Sequence, residues 1–191
     1  PDRVTIVLGV QTESPSANGA LGANAQKAAG VIAMLKNRGV ADADLQTSQL
    51  TVNPSYDQNG KINGYQVTNL VTATLHDIKT AGGVIDAAGQ AAGDDIRVQQ
   101  VSFSIDDDSK LMATARAEAV KHAKDQAKQL ADAAGVRLGD LRSITESSQS
   151  SAPPTPMYRA GALDEAAAPT PVQPGSQKLT VSVDMVYDIN Q

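Results

Sequence analysis

The chain has 191 residues, enough for one domain, or one domain carrying a long insertion, around a substantial core. One Phe, no Trp and four Tyr leave that core to Val, Ile, Leu and Ala, and the lack of cysteine excludes disulfides, thiolate nucleophiles and thiolate metal sites. A net charge of −5 spread along the chain offers no field for a phosphate backbone, so nucleic acid is not an expected partner, and no apolar run reaches the roughly 18 residues of a membrane span.

The sequence opens at Pro1-Asp2 with neither an initiating Met nor a charged-then-apolar leader, which reads as a processed or trimmed product. Val4, Ile6, Leu8 and Val10 alternate with polar or small residues, the pattern of a half-buried strand ending near Ser14-Pro15. Ser16 or Asn18 can cap a helix running to about Arg38, with Leu21, Ala25, Ala28, Ile32 and Leu35 on its apolar face. Gly39 suits the left-handed stop that follows. Two long extended stretches come next, Leu45 to Tyr56 and Ile62 to about His76, joined by Asp57-Gln58-Asn59-Gly60-Lys61. The Asn-Gly step predicts the positive φ angles of a tight hairpin turn. In the returning arm Tyr65, Val67, Val71, Ala73 and Leu75 share one face, and Thr68, Thr72 and Thr74 the other.

A second helix is predicted from Ile78 to about Ala92, of poor propensity because of Gly82, Gly83 and Gly89, with Asp94-Asp95 ending it. Val101, Phe103 and Ile105 mark a strand. Asp106-Asp107-Asp108-Ser109 then supplies negative charge and a cap for a third helix to about Ala134, whose stripe is Ala115, Ala119, Ala123, Ala127, Leu130 and Ala134. A strand is expected from Leu141 to about Glu146. Residues 147–177, rich in Ser and Pro, read as a mobile loop. The perfect alternation of Leu179, Val181, Val183, Met185, Tyr187 and Ile189 gives a final strand.

One phrase occurs twice. Arg38-Gly39-Val40-Ala41-Asp42-Ala43-Asp44-Leu45 and Ala134-Gly135-Val136-Arg137-Leu138-Gly139-Asp140-Leu141 each stop a helix at Gly-Val and open a strand at Asp-Leu. The chain thus reads as two fused strand-helix-strand-strand units within a single domain: a first repeat over 1–77, a linking helix over 78–93 and a second repeat over 96–191. One helix to three strands predicts an α+β fold, a mainly antiparallel sheet covered by helices on one face.

Three stretches carry a resemblance to a known family. They are Gln46 to Tyr56 followed by Gly64-Tyr65 and Asn69, the Ala-rich helix with Ala115-Arg116 through Leu138-Gly139, and Pro174-Gly175 before the last strand. In order and spacing the chain resembles the SIMPL-domain family of bacterial periplasmic immunogenic and oxidative-stress defence proteins, over nearly its whole length. The resemblance implies export to the periplasm or cell envelope, association with oxidative-stress defence, and assembly of many subunits into a ring or channel-like particle. It supplies no catalytic residues. Family members usually begin with an export signal and a further strand before Pro-Asp, so this chain is expected to lack an edge strand.

Chemistry-bearing residues are sparse. His76, beside Asp77, has the makings of a general base without convergent partners, and His122 lies on the basic face of the third helix. Asp106-Asp107-Asp108 and Asp94-Asp95 lack the alternating ligands and glycine of a calcium loop, which favours capping. No Gly-x-Ser-x-Gly is present, and Gly82-Gly83 lacks a Gly-Lys-Ser/Thr ending, against a serine hydrolase or a nucleotide enzyme. Arg116, Lys121, Lys124, Lys128 and Arg137 could meet anionic lipid or a partner at the envelope surface, but interspersed acids make them an ordinary solvated face. The unusual feature is the long hairpin from Leu45 to Leu75, whose outer part needs something to pack on. Leu50, Val52, Tyr56, Tyr65, Val67 and Val71 are its candidate assembly residues. The expected function is that of an exported, non-enzymatic protein, without cofactor or metal, whose partner is itself. The alternative is a carrier holding a small apolar or envelope-derived ligand between sheet and helices.

Overall fold

The computed structural model describes residues 1–149 and 170–190. Its elements are β1 (Arg3–Ser14), α1 (Ala17–Asn37), β2 (Leu45–Tyr56), β3 (Ile62–Leu75), α2 (Ala81–Ala92), β4 (Ile96–Ser104), α3 (Ser109–Ala134), β5 (Arg137–Gln149) and β6 (Thr180–Asn190). Their order matches the sequence reading, and the fold is α+β. They form two compact units, one holding residues 1–106 with 170–174, the other 107–149 with 175–190.

In the first unit four antiparallel strands lie in the order β2-β3-β1-β4. The central strand β1 sends Val4, Ile6, Leu8 and Val10, all fully buried, into an aliphatic core shared with Ala28, Val31 and Leu35 of α1 and Val84 and Ala88 of α2. β4 opens the second sequence repeat, yet it completes the first unit's sheet, pairing Phe103 with Val4 and Val101 with Ile6. β1 is thereby paired along both edges.

The buried stripe of α1 is Ala20, Asn24, Ala28, Val31 and Leu35, a correction to the face expected from hydropathy. Leu21 is 39% exposed, and Ala25 is exposed too. The reason is Asn24: its amide Nδ2 donates to Val10 O at 3.3 Å and Val67 O at 3.0 Å, so a polar side chain takes the place nearest the sheet. Ser16 is the N-cap, its Oγ accepting from Gly19 N at 3.1 Å.

The second unit packs α3 on the antiparallel ribbon β5-β6. Ala115, Ala119, Ala123 and Ala127 are half-buried, as their spacing predicted, but the stripe continues through Ala131, while Leu130 is 71% exposed and Ala134 is also exposed. Along β6, Val181, Val183 and Met185 alternate with exposed neighbours, but Tyr187 and Asp188 are both half-buried and Ile189 is exposed.

The repeated phrase folds the same way twice. Gly39 (φ 89°) and Gly135 (φ 70°) both take the left-handed conformation. Val40 N donates to Leu35 O and Gly39 N to Lys36 O, while Val136 N donates to Ala131 O and Gly135 N to Asp132 O. Each set is a Schellman stop closing a helix's last carbonyls. Beyond it the copies diverge. Asp42–Asp44 forms a 3-10 turn before β2, whereas β5 starts at Arg137, four residues ahead of the expected Leu141.

Two further expectations change. Gly60 has a positive φ of 75° but Asn59 does not, so the turn is a wider one in which Gly60 N donates to Asp57 O and Asp57 N to Lys61 O. The Asp57 carboxylate accepts from Asn59 N and Lys61 N, which holds the extra residues in place. The segment read as a mobile loop over 147–177 is held at both ends: β5 runs to Gln149, and Thr170 and Val172 pack within the first unit. The remainder of that reading, 150–169, lies outside the described residues.

Candidate functional site

In the hairpin of β2 and β3, β2 is the most exposed strand of the sheet. Its register places Leu50 opposite Asn69, Val52 opposite Val67 and Pro54 opposite Tyr65, so Leu50, Val52 and Pro54 share the face of Val67 and Val71. The six candidate residues do not form one surface. Val67 and Val71 are core residues, and Tyr65 is half-buried. Leu50 (58%), Val52 and Tyr56 (60%) are exposed, with Ile62 exposed at the tip of the hairpin. The split follows from the sheet order: β3 has a strand on either side, whereas β2 is an edge beyond the reach of the helices' buried stripe.

β2 is also uncharged. From Leu45 to Tyr56 it contains no Asp, Glu, Lys or Arg, whereas the other edge strands carry Arg97 (β4), Arg137, Asp140, Arg142 and Glu146 (β5), and Asp184 and Asp188 (β6). Its ladder has an irregularity at Ser48, between Thr47 and Gln49, and another between Ser55 and Tyr56.

Beside β2 an open cleft of about 220 Å³ lies between α1 and the sheet, with Ile32, Leu45, Thr47 and Val71 among its lining residues. The Lys36–Asp42 ion pair, 2.6 Å between Nζ and Oδ1, borders it. Leu21 sits eleven residues before Ile32, three helical turns, and so flanks the same side of α1. The cleft is smaller than the roughly 300–1,000 Å³ usual for small-molecule sites.

Several of the titratable residues singled out in the sequence have structural partners. His76 Nε2 is 3.2 Å from Asp44 Oδ2, and its Nδ1 is 3.9 Å from Asp106 Oδ2. Asp77, the neighbour expected to poise it, instead accepts from Lys79 N at the start of a 3-10 turn. Asp106 pairs with Arg3 and donates its backbone N–H to Asp2 Oδ1. Asp107 accepts from Ser109, and hydrogen bonding from the Ser109 side chain and then from its backbone N–H holds the carboxyl below its ordinary value. Asp108 occupies the N-cap of α3 without a side-chain bond, so the expected capping passes to Asp107. Asp95 pairs with Lys27. Among the described residues, no three His, Asp or Glu side chains converge as a metal site would require. On α3, Arg116 Nε lies 2.9 Å from both oxygens of Glu146, and His122, Lys121, Lys124 and Lys128 are exposed.

Sequence reasoning missed Asn24 and the contact made by Asp86. The α2 residue Asp86 accepts from Thr170 N at 3.0 Å and from Thr170 Oγ1 at 2.5 Å, and Val172 packs on the core nearby. These two bonds lower the Asp86 carboxyl from its ordinary value. Only the Pro-flanked Thr170-Pro171-Val172 pattern could have signalled an extended docking segment.

Two comparisons bear on this architecture. The chain is similar to the 26 kDa periplasmic immunogenic protein of Brucella melitensis, with 32% identity over 206 residues covering 99% of this chain and 79% of that protein. It is also similar to the protein YggE of Escherichia coli K12, with 28% identity over 192 residues covering 99% of this chain and 76% of that protein. The SIMPL family model, described as a protein of unknown function (DUF541), matches residues 1–187 and so takes in both the sheet of the first unit and the ribbon of the second; the chain belongs to the SIMPL family.

Proposed function

We propose that this protein is an exported cell-envelope component that acts without chemistry of its own and works as a homo-oligomer joined through the β2 edge. Export is supported by the periplasmic name of the Brucella relative, and no helix among the described residues is long and apolar enough to cross a membrane. A non-catalytic role is supported by the engagement of His76, Asp106 and Asp107 in bonds that organise turns and strand ends. Ring or channel-like closure and a part in oxidative-stress defence belong to the same reading. Any such protection runs without a cysteine thiol.

The observation that carries the proposal is the exposed, uncharged β2 edge with Leu50, Val52 and Tyr56 along it. Such edges are templates for strand addition and are normally guarded by charge. The test is solution mass by light scattering. The wild type is expected to run well above the 19.7 kDa of one chain, and Leu50→Lys with Tyr56→Lys to lower the mass while keeping the circular dichroism of the fold. A wild type that stays monomeric at tens of micromolar overturns the proposal. Val67 is not a test position: burying a carboxylate there would unfold the sheet whatever the assembly.

A further inference from the structure

The edge of β2 carries its own register marks. At one end the ladder is broken by the extra residue Ser48, and at the other stands Pro54, which has no N–H to donate. Proline cannot occupy a position that exchanges two bonds with β3, so Pro54, and with it Val52 and Leu50, direct their backbone groups outward. Gln49, Thr51 and Asn53 direct theirs to β3. The regular stretch between bulge and proline is Gln49 to Asn53, and Thr51 is its midpoint, three residues from each interruption.

We propose, building on the assembly reading above, that β2 pairs antiparallel with β2 of a second copy about a twofold axis at Thr51. Leu50 then faces the partner's Val52 as a hydrogen-bonded pair, Thr51 faces the partner's Thr51 as a non-bonded pair, and Pro54 meets the partner's Ser48 bulge. A prolyl position with no donor thus lies where the other chain's ladder is already irregular. The second copy fits because β2 carries no charge to oppose its own copy in any register, whereas every other edge strand carries at least one. A twofold axis normal to the sheet keeps both α1 helices on one face, so Leu50 and Val52 of each copy line the floor between them.

The chain has no cysteine, so single-cysteine variants report this register directly. Facing residues of a non-bonded pair lie within disulfide reach, and residues displaced by four positions are about 13 Å apart, beyond it. Under mild oxidation Thr51→Cys is expected to give a covalent dimer on non-reducing gels. Gln49→Cys and Asn53→Cys alone are expected to stay uncrosslinked, and a mixture of those two to crosslink, because Gln49 faces the partner's Asn53. If the wild type is oligomeric but neither Thr51→Cys nor the mixed pair crosslinks above the single controls, this register is overturned while self-assembly stands. A monomeric wild type overturns both.

Discussion

Replacing Asn24 by Ala tests whether a buried amide locks α1 onto the sheet. Asn24 is fully buried and donates to two carbonyls on different strands, Val10 O in β1 and Val67 O in β3. A net contribution of about 1 kcal/mol per bond gives ~2 kcal/mol, and the vacated space raises the expected loss to about 2–3 kcal/mol. That is a large share of the ~5–15 kcal/mol that holds a typical domain together. With a urea dependence near 2 kcal/mol per molar, the midpoint should fall by about 1 M at unchanged slope. The assay is a urea titration followed by circular dichroism, with amide exchange in β1 and β3 as the local readout. Asn24→Leu, which refills the space without donors, separates the two contributions and should lie between Ala and wild type. A loss below about 0.5 kcal/mol for Asn24→Ala, or a Leu variant as stable as wild type, would refute the locking role.

Gly39→Ala and Gly135→Ala place a Cβ at φ values of 89° and 70° with no neighbouring atom within 4 Å, so backbone strain alone should destabilise each by about 1 kcal/mol, read as a thermal midpoint shift. Gly9→Ala is expected to abolish soluble expression, because its Cβ would fall 1.9 Å from the Asn69 carbonyl oxygen in the centre of the sheet. Thr170→Val should free the 170–174 segment, seen as faster amide exchange there with β1 protection unchanged. The Asp86 carboxyl is lowered in the folded chain, so its stabilisation of this docking is fully present above the ordinary value of 3.8 and is lost as pH falls through the lower folded value. Exchange in the segment should therefore be flat from neutral pH to about 5, after correction for intrinsic rates, and Asp86→Asn should raise it at every pH.

Element order and type were legible because apolar alternation and helical spacing are local signals. Val4 to Val10 and Val181 to Tyr187 show period two, and Ala115 to Ala127 show period four. What escaped was partner choice. Nothing local tells β4 to pair with β1, because that pairing joins residues about a hundred apart, such as Val4 and Phe103. The orientation of α1 was misjudged because hydropathy counts Asn24 as a surface residue, and only tertiary carbonyls make it a core one. The same blindness merged Val67 with Leu50 into one candidate surface: side-chain type places both on a sheet face but does not say where the helices stop. The end of the Pro-rich segment was read as unattached because one threonine and one valine suffice to anchor it, too little to register in composition.

The place of β1 constrains how the chain can mature. Of the strands in its sheet β1 comes earliest in the chain, yet it needs partners from both β3 and β4, and its bridge from Arg3 to Ser104 waits for about a hundred further residues. Until then one flank of an intensely aliphatic strand stays open, with loop-closure entropy opposing its completion. A nascent chain of this design must therefore keep β1 sheltered, or extended, until the hundred or so residues between it and the end of β4 have been made.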